Sequence, residues 1–280
     1  MIFGFSSPTY SGVSPSDKPL MWLLDRCVEY DFKALEASLP LSGTDEPVEV
    51  KAKATDLGIT YVGYWSENFV TPDGGAAGLR DRGQRALDIA VECGVSTVVA
   101  FGSGSKHNRF TNDPPLDQQL TNAVDNLGPV AEEAAARNVR IGLLPHLDYR
   151  SHEMFSVAQR INHPALRMAF DTTNPFPVCE EPVDAARNVL PHAIAVAIKD
   201  VQIYPHRSND VTIWGAPIGQ GSVNFDAIFD LMRTELPEPD TTTVCVKLRL
   251  PPDSTDHDTW MKSSLEYLAS HPAFQALLTP

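Results

Sequence analysis

Nowhere does this sequence run for about 18 consecutive apolar residues, so no membrane-spanning helix is expected. The first residues, "MIFGFSSPTY", lack the positive start and long apolar segment of a secretory signal, and a cytoplasmic location is expected. Cysteine is sparse: Cys27, Cys93, Cys179 and Cys245 lie far apart with no CxxC pair. That spacing suits reduced, mostly buried thiols better than a disulfide frame or a zinc site. Basic residues are also short, 22 Lys and Arg against 36 Asp and Glu, for a net charge of -14. With no basic run or basic helix face, a nucleic-acid partner is not expected, because such binding draws on clustered cations. The chain has no Gly-, Ser- or Pro-rich linker long enough to divide it and no low-complexity tract, so residues 1–280 read as one domain.

What is present is alternation. Short apolar runs at 2–6, 32–38, 59–65, 96–102, 139–145, 166–171, 194–200 and 242–249 are candidate strands. Helix-like segments fall between them, such as "PLMWLLDRCVEY", "GLRDRGQRALDIAVECG" and "NFDAIFDLMRTEL", several of them ending at Gly, Asn or Pro. Eight strands with seven or eight helices is the count of an α/β protein of the (β/α)8 TIM-barrel type; a doubly wound open sheet is the main alternative.

A barrel gathers its chemistry at the C-terminal ends of its strands, so polar residues there are the candidates. They are Glu36; Tyr64 and Trp65; "GSGSKHNRF" with His107; His146 and Asp148; Asp171 and Asn174; Lys199 and Asp200; and Lys247 and Arg249. The last two stand out. In "TVCVKLRL" two cations sit two apart in an otherwise apolar strand and therefore point to one face. A buried cation must find an anion, a ligand's charge, or lose its proton.

From residue 139 onward, "LLPHLDYRSHEMFSVAQRINHPALRMAFDTTNPF", "VAIKDVQIYP" and "GAPIGQGSVNFDAIFDLM" resemble the xylose isomerase-like TIM-barrel superfamily. This is the sugar phosphate isomerase/epimerase group, which includes an apurinic endonuclease branch. The resemblance implies a divalent ion, manganese or magnesium, held by two Glu, an Asp and a His. In this sequence it implies Leu144 at the first Glu position, Pro145 for Asn, Ala197 at the His position and Lys247 at the eighth-strand Glu. Asp171, Asn174, His146, Lys199 and Asp200 match the family pattern.

One carboxylate does not hold a catalytic dication, so no metal cofactor is expected unless substitute ligands such as His107, His146, Asp148 and Asp171 converge. Lys247 is instead expected to face Asp171, with Arg249 higher in the mouth to meet a substrate carboxylate or phosphate. Lys247, Asp171, Lys199, His146 and Glu36 are the candidate catalytic groups. Arg249, Asn174, Tyr64, Trp65 and His107 are the candidate binding groups, with Phe176 as a further aromatic for a sugar ring.

The function expected is a metal-independent isomerase, epimerase or lyase acting on a small carbohydrate-like ligand. The alternative is an inactive barrel that binds such a ligand or a partner subunit; a homo-oligomer is compatible with either. Gly215, Pro217, Gly219 and Gly221 are expected to shape a loop through backbone conformation. Two further segments stay open between roles: "GSGSKHNRF" as a phosphate cradle using Lys106 and Arg109 or as a plain turn, and "PHRSND" with His206 and Arg207 as a cover over the site or as a solvated loop. The endonuclease branch is not expected, because the chain has neither its ligand set nor its charge.

Overall fold

The runs that read as strands are buried on both sides, as a parallel sheet wrapped in helices requires; Ala193–Ile198 is buried at every position. The structure, a computed structural model, describes residues 1–102, 107–205, 211–251 and 254–278. Strands β1 (Ile2–Ser6), β2 (Ala34–Ser38), β3 (Thr60–Glu67), β4 (Thr97–Gly102), β5 (Arg140–Leu144), β6 (Leu166–Asp171) and β7 (Ala193–Ile198) form a closed barrel with β10 (Thr243–Val246). All barrel pairings are parallel, and β10 closes the ring between β7 and β1. The open sheet is thereby excluded.

Helices α1 (Pro19–Glu29), α2 (Pro47–Leu57), α3 (Gly75–Glu92), α4 (Leu116–Ala136), α5 (Ser151–Ile161), α6 (Pro182–Val189), α7 (Phe225–Glu235), α8 (His257–Ser270) and α9 (Pro272–Leu278) surround the strands. Their starts follow local chemistry. Pro opens α1, α2 and α6, and the Asn224 and Asp256 side chains accept backbone N–H groups at the starts of α7 and α8. No helix of the described residues is long and apolar enough to cross a membrane.

Period-2 alternation divides each strand between two cores. Outward residues pack beneath the helices. Inward ones, Val62, Val99, Leu144, Ala169 and Ala195, form an apolar layer inside the barrel, with Tyr64 and Phe101 above it.

Two elements differ from the sequence reading. Strand β10 stops at Val246, so Lys247 and Arg249 lie beyond it rather than inside a strand reaching 249. The cause is local: the Lys247 N–H still reaches the Ile198 carbonyl at 2.9 Å, but the Leu248 N–H is taken by the Thr9 hydroxyl at 3.0 Å. The second difference follows β7. Instead of a loop, β8 (Asp200–Pro205) and β9 (Val211–Ala216) form an antiparallel ribbon outside the barrel. The "PHRSND" reading, with His206 and Arg207, falls outside the described residues.

The glycine-rich segment after the ribbon is built as expected, around Asp200. That buried carboxylate accepts the N–H groups of Val201, Gly219, Gly221 and Val223 at 2.8–3.2 Å. Asp200 is thus turned to this loop as a structural anchor. At Gly215 a Cβ would lie 1.7 Å from the Arg249 carbonyl oxygen, so the ribbon and the chain after β10 touch backbone to backbone.

Candidate active site

The C-terminal mouth encloses a cavity of about 490 Å³, within the range of small-molecule sites. Tyr64, Phe101, His146, Lys199, Lys247 and Arg249 line its strand-end side, and serines from the segments after β1 and β2 line the other. Strands β3, β4, β5, β7 and β10 supply these six side chains, from inward positions near or just past their C-terminal ends.

Two ion pairs make up the floor. Lys199 Nζ lies 2.7 Å from Asp171 Oδ2, and Lys247 Nζ lies 3.6 Å from Glu36 Oε1. The expectation that Lys247 would pair with Asp171 is therefore corrected. Asp171 is nearer the lysine of the neighbouring strand β7, while Lys247 extends across β1 toward Glu36 on β2. Asp171 still acts on Lys247 electrostatically, but as the secondary anion.

Each anion is further fixed. The Thr173 N–H, the Thr173 hydroxyl and the Asn174 N–H donate to Asp171 Oδ1 at 3.0–3.2 Å, a turn in which the carboxylate caps its own following residues. Ser6 Oγ donates to Glu36 Oε1 at 2.6 Å. Sequence reasoning passed over Ser6, although it is the polar end of "IFGFS", the position at which every other strand was searched.

The two lysines differ in environment. Burial acts most strongly on Lys199 and, with the ammonium of Lys247, outweighs the attraction of Asp171, so its pKa lies below the usual lysine value. Burial also opposes the charge on Lys247, but Glu36 and Asp171 outweigh it and the pKa lies above the usual value. Asp171 is held below the ordinary carboxylate value: burial would raise it, and Lys199 and Lys247 reverse that. His146, packed at a tilt against Phe101 with a centroid distance of 4.6 Å, is pushed down to about 3 by burial first and by the Lys199 charge second. It is therefore neutral near pH 7, a hydrogen-bonding wall rather than a ready proton carrier.

Of the expected binding groups, Tyr64 and Arg249 line the cavity. Arg249 is exposed, and its guanidinium makes no ion pair with any described residue. Asn174 is buried beneath the mouth: its Nδ2 donates to the Pro145 carbonyl and its Oδ1 accepts from Lys199 Nζ, so it orients the lysine. Trp65 points the other way from Tyr64, as strand alternation demands, and packs in the helix layer beside Phe69 and Gly83. His107 is buried against Thr71, with Nε2 and Oγ1 2.6 Å apart, away from the cavity. Phe176 lies on the short turn Phe176–Val178 and does not line the cavity. In the "GSGSKHNRF" segment Lys106 lies outside the described residues, and Arg109 is paired with Glu153, so its charge is already met.

The donor set does not fit the divalent ion that the family resemblance implies. Leu144 belongs to the apolar layer, Ala197 offers no ligand, and both mouth carboxylates carry ammonium partners. Among the described residues no three His, Cys, Asp or Glu side chains gather as a metal site, and His107, His146, Asp148 and Asp171 do not converge. Asp148 is buried beside Gly102 and its carboxyl is pushed up to about 7, chiefly by burial.

Comparison with known proteins places the fold. One stretch is 27% identical over 127 residues to the uncharacterized protein YihM of Escherichia coli (strain K12), and it spans 42% of this chain and 39% of that relative. Over nearly the whole chain the fold matches that of an L-ribulose 3-epimerase, with a TM-score of 0.78, 15% identity and coverage of 99% and 95% of the two chains. The probable 3-DHS dehydratase AsbF from Bacillus anthracis, involved in petrobactin synthesis, gives a TM-score of 0.73 at 13% identity, covering 97% of this chain and 100% of that one. At such identities the likeness is one of fold. The family model described as xylose isomerase-like TIM barrel matches residues 24–270, and the chain belongs to that family.

Proposed function

We propose that this protein is a metal-independent isomerase, epimerase or lyase that acts on a small polyhydroxylated carbonyl compound, a sugar or sugar acid. The observation that carries the reading is the pair of lysines in one mouth whose surroundings drive their pKa values apart, a pattern that separates a base from an acid. Lys199 rests as the ammonium partner of Asp171; its lowered pKa makes it the lysine that gives up its proton to solvent before the step, and the amine then takes the proton from the carbon beside the carbonyl. Lys247 keeps its charge and donates a hydrogen bond to the carbonyl oxygen, where the electron pair of the broken C–H bond arrives as an enolate. Protonation of the other face by a solvent water, with the abstracted proton released from Lys199 to solvent, gives an epimer; return of the Lys199 proton to the neighbouring carbon, with the hydroxyl proton there passing to the former carbonyl oxygen, gives an isomer. Expulsion of a β-hydroxyl as water gives a dehydrated product. All three outcomes share the enolate, which is why one site supports each reading.

Asp171 and Asn174 orient Lys199, Glu36 and Ser6 hold Lys247, and Arg249 meets an anionic end of the ligand. The folds of an epimerase and a dehydratase support the reaction class by analogy alone. The experiment is solvent exchange. Chelator-treated protein is incubated in D2O with a panel of ketoses, aldoses and sugar acids, and deuterium at the carbon beside the carbonyl is followed by NMR. Exchange that resists chelation and disappears in Lys199→Ala is expected. Exchange that requires added manganese would overturn the metal-free step. Binding of a panel member with no exchange would favour the second reading, a ligand-binding barrel, which the replacement of ligand positions by Leu144 and Ala197 also suits.

A further inference from the structure

The mouth cavity does not end at Arg249. A second cavity of about 640 Å³ adjoins it, and the two share Pro8, Ser11, Gly12 and Arg249 as a common wall. Each is by itself large enough for a small-molecule ligand, so together they exceed what a five- or six-carbon sugar requires. The inner chamber carries the lysines, His146 and serines, while the outer sets an apolar wall of Val13, Ile213, Trp214, Leu250 and Pro251 beside Ser254, Thr255 and His257. Val13 and Trp214 are each 42% exposed, which is unusual for large apolar side chains gathered around one hollow.

The outer wall is also a built feature. Trp214 sits on β9, whose next residue, Gly215, is locked against the Arg249 carbonyl, so the tryptophan is held at a fixed position beside the entrance. Arg249 stands at the divide. Its charge acts on His146 in the inner chamber, and it lines both hollows without an ion pair to any described residue.

From this continuity we infer that the ligand is a conjugate: a polyhydroxylated unit in the inner chamber that carries the carbonyl of the proposed reaction, joined through a hydroxyl oxygen away from that carbonyl to an aromatic ring that rests on Trp214 in the outer chamber. The inference rests on the proposed carbohydrate site and extends it to the substrate class. An aromatic ring satisfies the outer chamber because its face can rest on the indole and the aliphatic wall while a polar ring substituent meets Ser254, Thr255 or His257. Arg249 spans the junction, where its planar guanidinium can donate to the linking oxygen or to a carboxylate beside it.

The test measures binding with glycosides, which lack a free carbonyl and cannot form the enolate, so it stands apart from turnover. Methyl and p-nitrophenyl glycosides of glucose, galactose, mannose, xylose and glucuronic acid are titrated as matched pairs by calorimetry. In at least one pair the aryl member is expected to bind about tenfold or more tightly, equivalent to about 1.4 kcal/mol. Trp214→Ala should bring that pair to within about twofold while leaving the methyl member unchanged, as a stacking contact predicts. Val13→Glu, at a second exposed position of the same wall, should reduce the preference independently. Equal affinity within every pair, no measurable binding by any aryl member, or a preference that survives both variants would overturn the inference. Failure of deuterium exchange would instead count against the catalytic reading and leave these binding results standing.

Discussion

Lys247 and Glu36 form a pair in which neither partner is readily replaced alone. Their side chains are 12% and 6% exposed, and removing the cation leaves a buried carboxylate with, among the described residues, the Ser6 hydroxyl as its hydrogen-bond donor. Loss of one partner of a buried pair costs about 3–5 kcal/mol, whereas removal of both is often close to neutral. Lys247→Met is therefore expected to lower stability by about 3 kcal/mol in urea unfolding, and the double variant Glu36→Gln/Lys247→Met to regain most of it. If the single variant unfolds at the wild-type urea concentration, the pair is not a structural unit.

Asp148 gives a pH signature of opposite sign to an ordinary salt-bridged acid. Its folded-state pKa of about 7 lies above the ordinary 3.8, so between those values the native state holds a proton that the unfolded state has released. Stability from this group is present at the acidic end of the window and is lost as pH rises through 7. At 1.36 kcal/mol per pKa unit the full loss is about 4 kcal/mol, and Asp148→Asn should flatten that part of the stability curve. A wild-type minus variant difference that is constant from pH 4 to 8 would contradict the assignment. The placement of Glu36, Asp171, Lys199 and Lys247 at the mouth was legible because each lies near the C-terminal end of a recognisable apolar run. Their pairing was not, because it depends on the stagger of the closed barrel, which no single strand encodes.

Strand ends and connections are where the elements depart from their sequence. Strand β10 is cut short by Thr9, a residue more than two hundred positions away, and no pattern within "TVCVKLRL" announces that capture. The β8–β9 ribbon was more legible than it was read: β-branched and aromatic residues flank a short polar interval in "VQIYPHRSNDVTIW", which is a hairpin signal. It was obscured because a barrel of this class places a helix after each strand, and the expectation of a loop overrode the local pattern. The ribbon's fit to the mouth is testable at Gly215. A Cβ there collides with the Arg249 carbonyl, so Gly215→Ala must separate β9 from the chain after β10. Overpacking of this kind costs about 1–3 kcal/mol, and the unfolding temperature should fall by several degrees. Ligand affinity should fall as well, because Arg249 and Trp214 are displaced together. A variant with wild-type stability and affinity would mean that the contact is not needed.

At the scale of the whole molecule, an acidic chain presents a mouth in which three cations, Lys199, Lys247 and Arg249, face two carboxylates, Glu36 and Asp171. The family's barrel was legible from strand count and motif order, because a closed parallel sheet demands apolar runs of regular length whatever its site does. The departures from the family pattern at Leu144, Ala197 and Lys247 were read from the same motifs, and the structure places Leu144 in the apolar layer and Lys247 beside Glu36.

The charge argument leads to a measurement on the intact protein. If the lysines do the work of a dication, a second cation between them would be repelled, and both carboxylates already hold ammonium partners. Protein purified without chelator, incubated with manganese and desalted should then carry well under one ion per chain by elemental analysis, and chelator should leave the unfolding temperature unchanged, since metal that binds only the native state would raise it. Retention of about one ion per chain, with a chelator-sensitive unfolding temperature, would require ligands beyond Glu36 and Asp171 and would return the enolate step to metal chemistry.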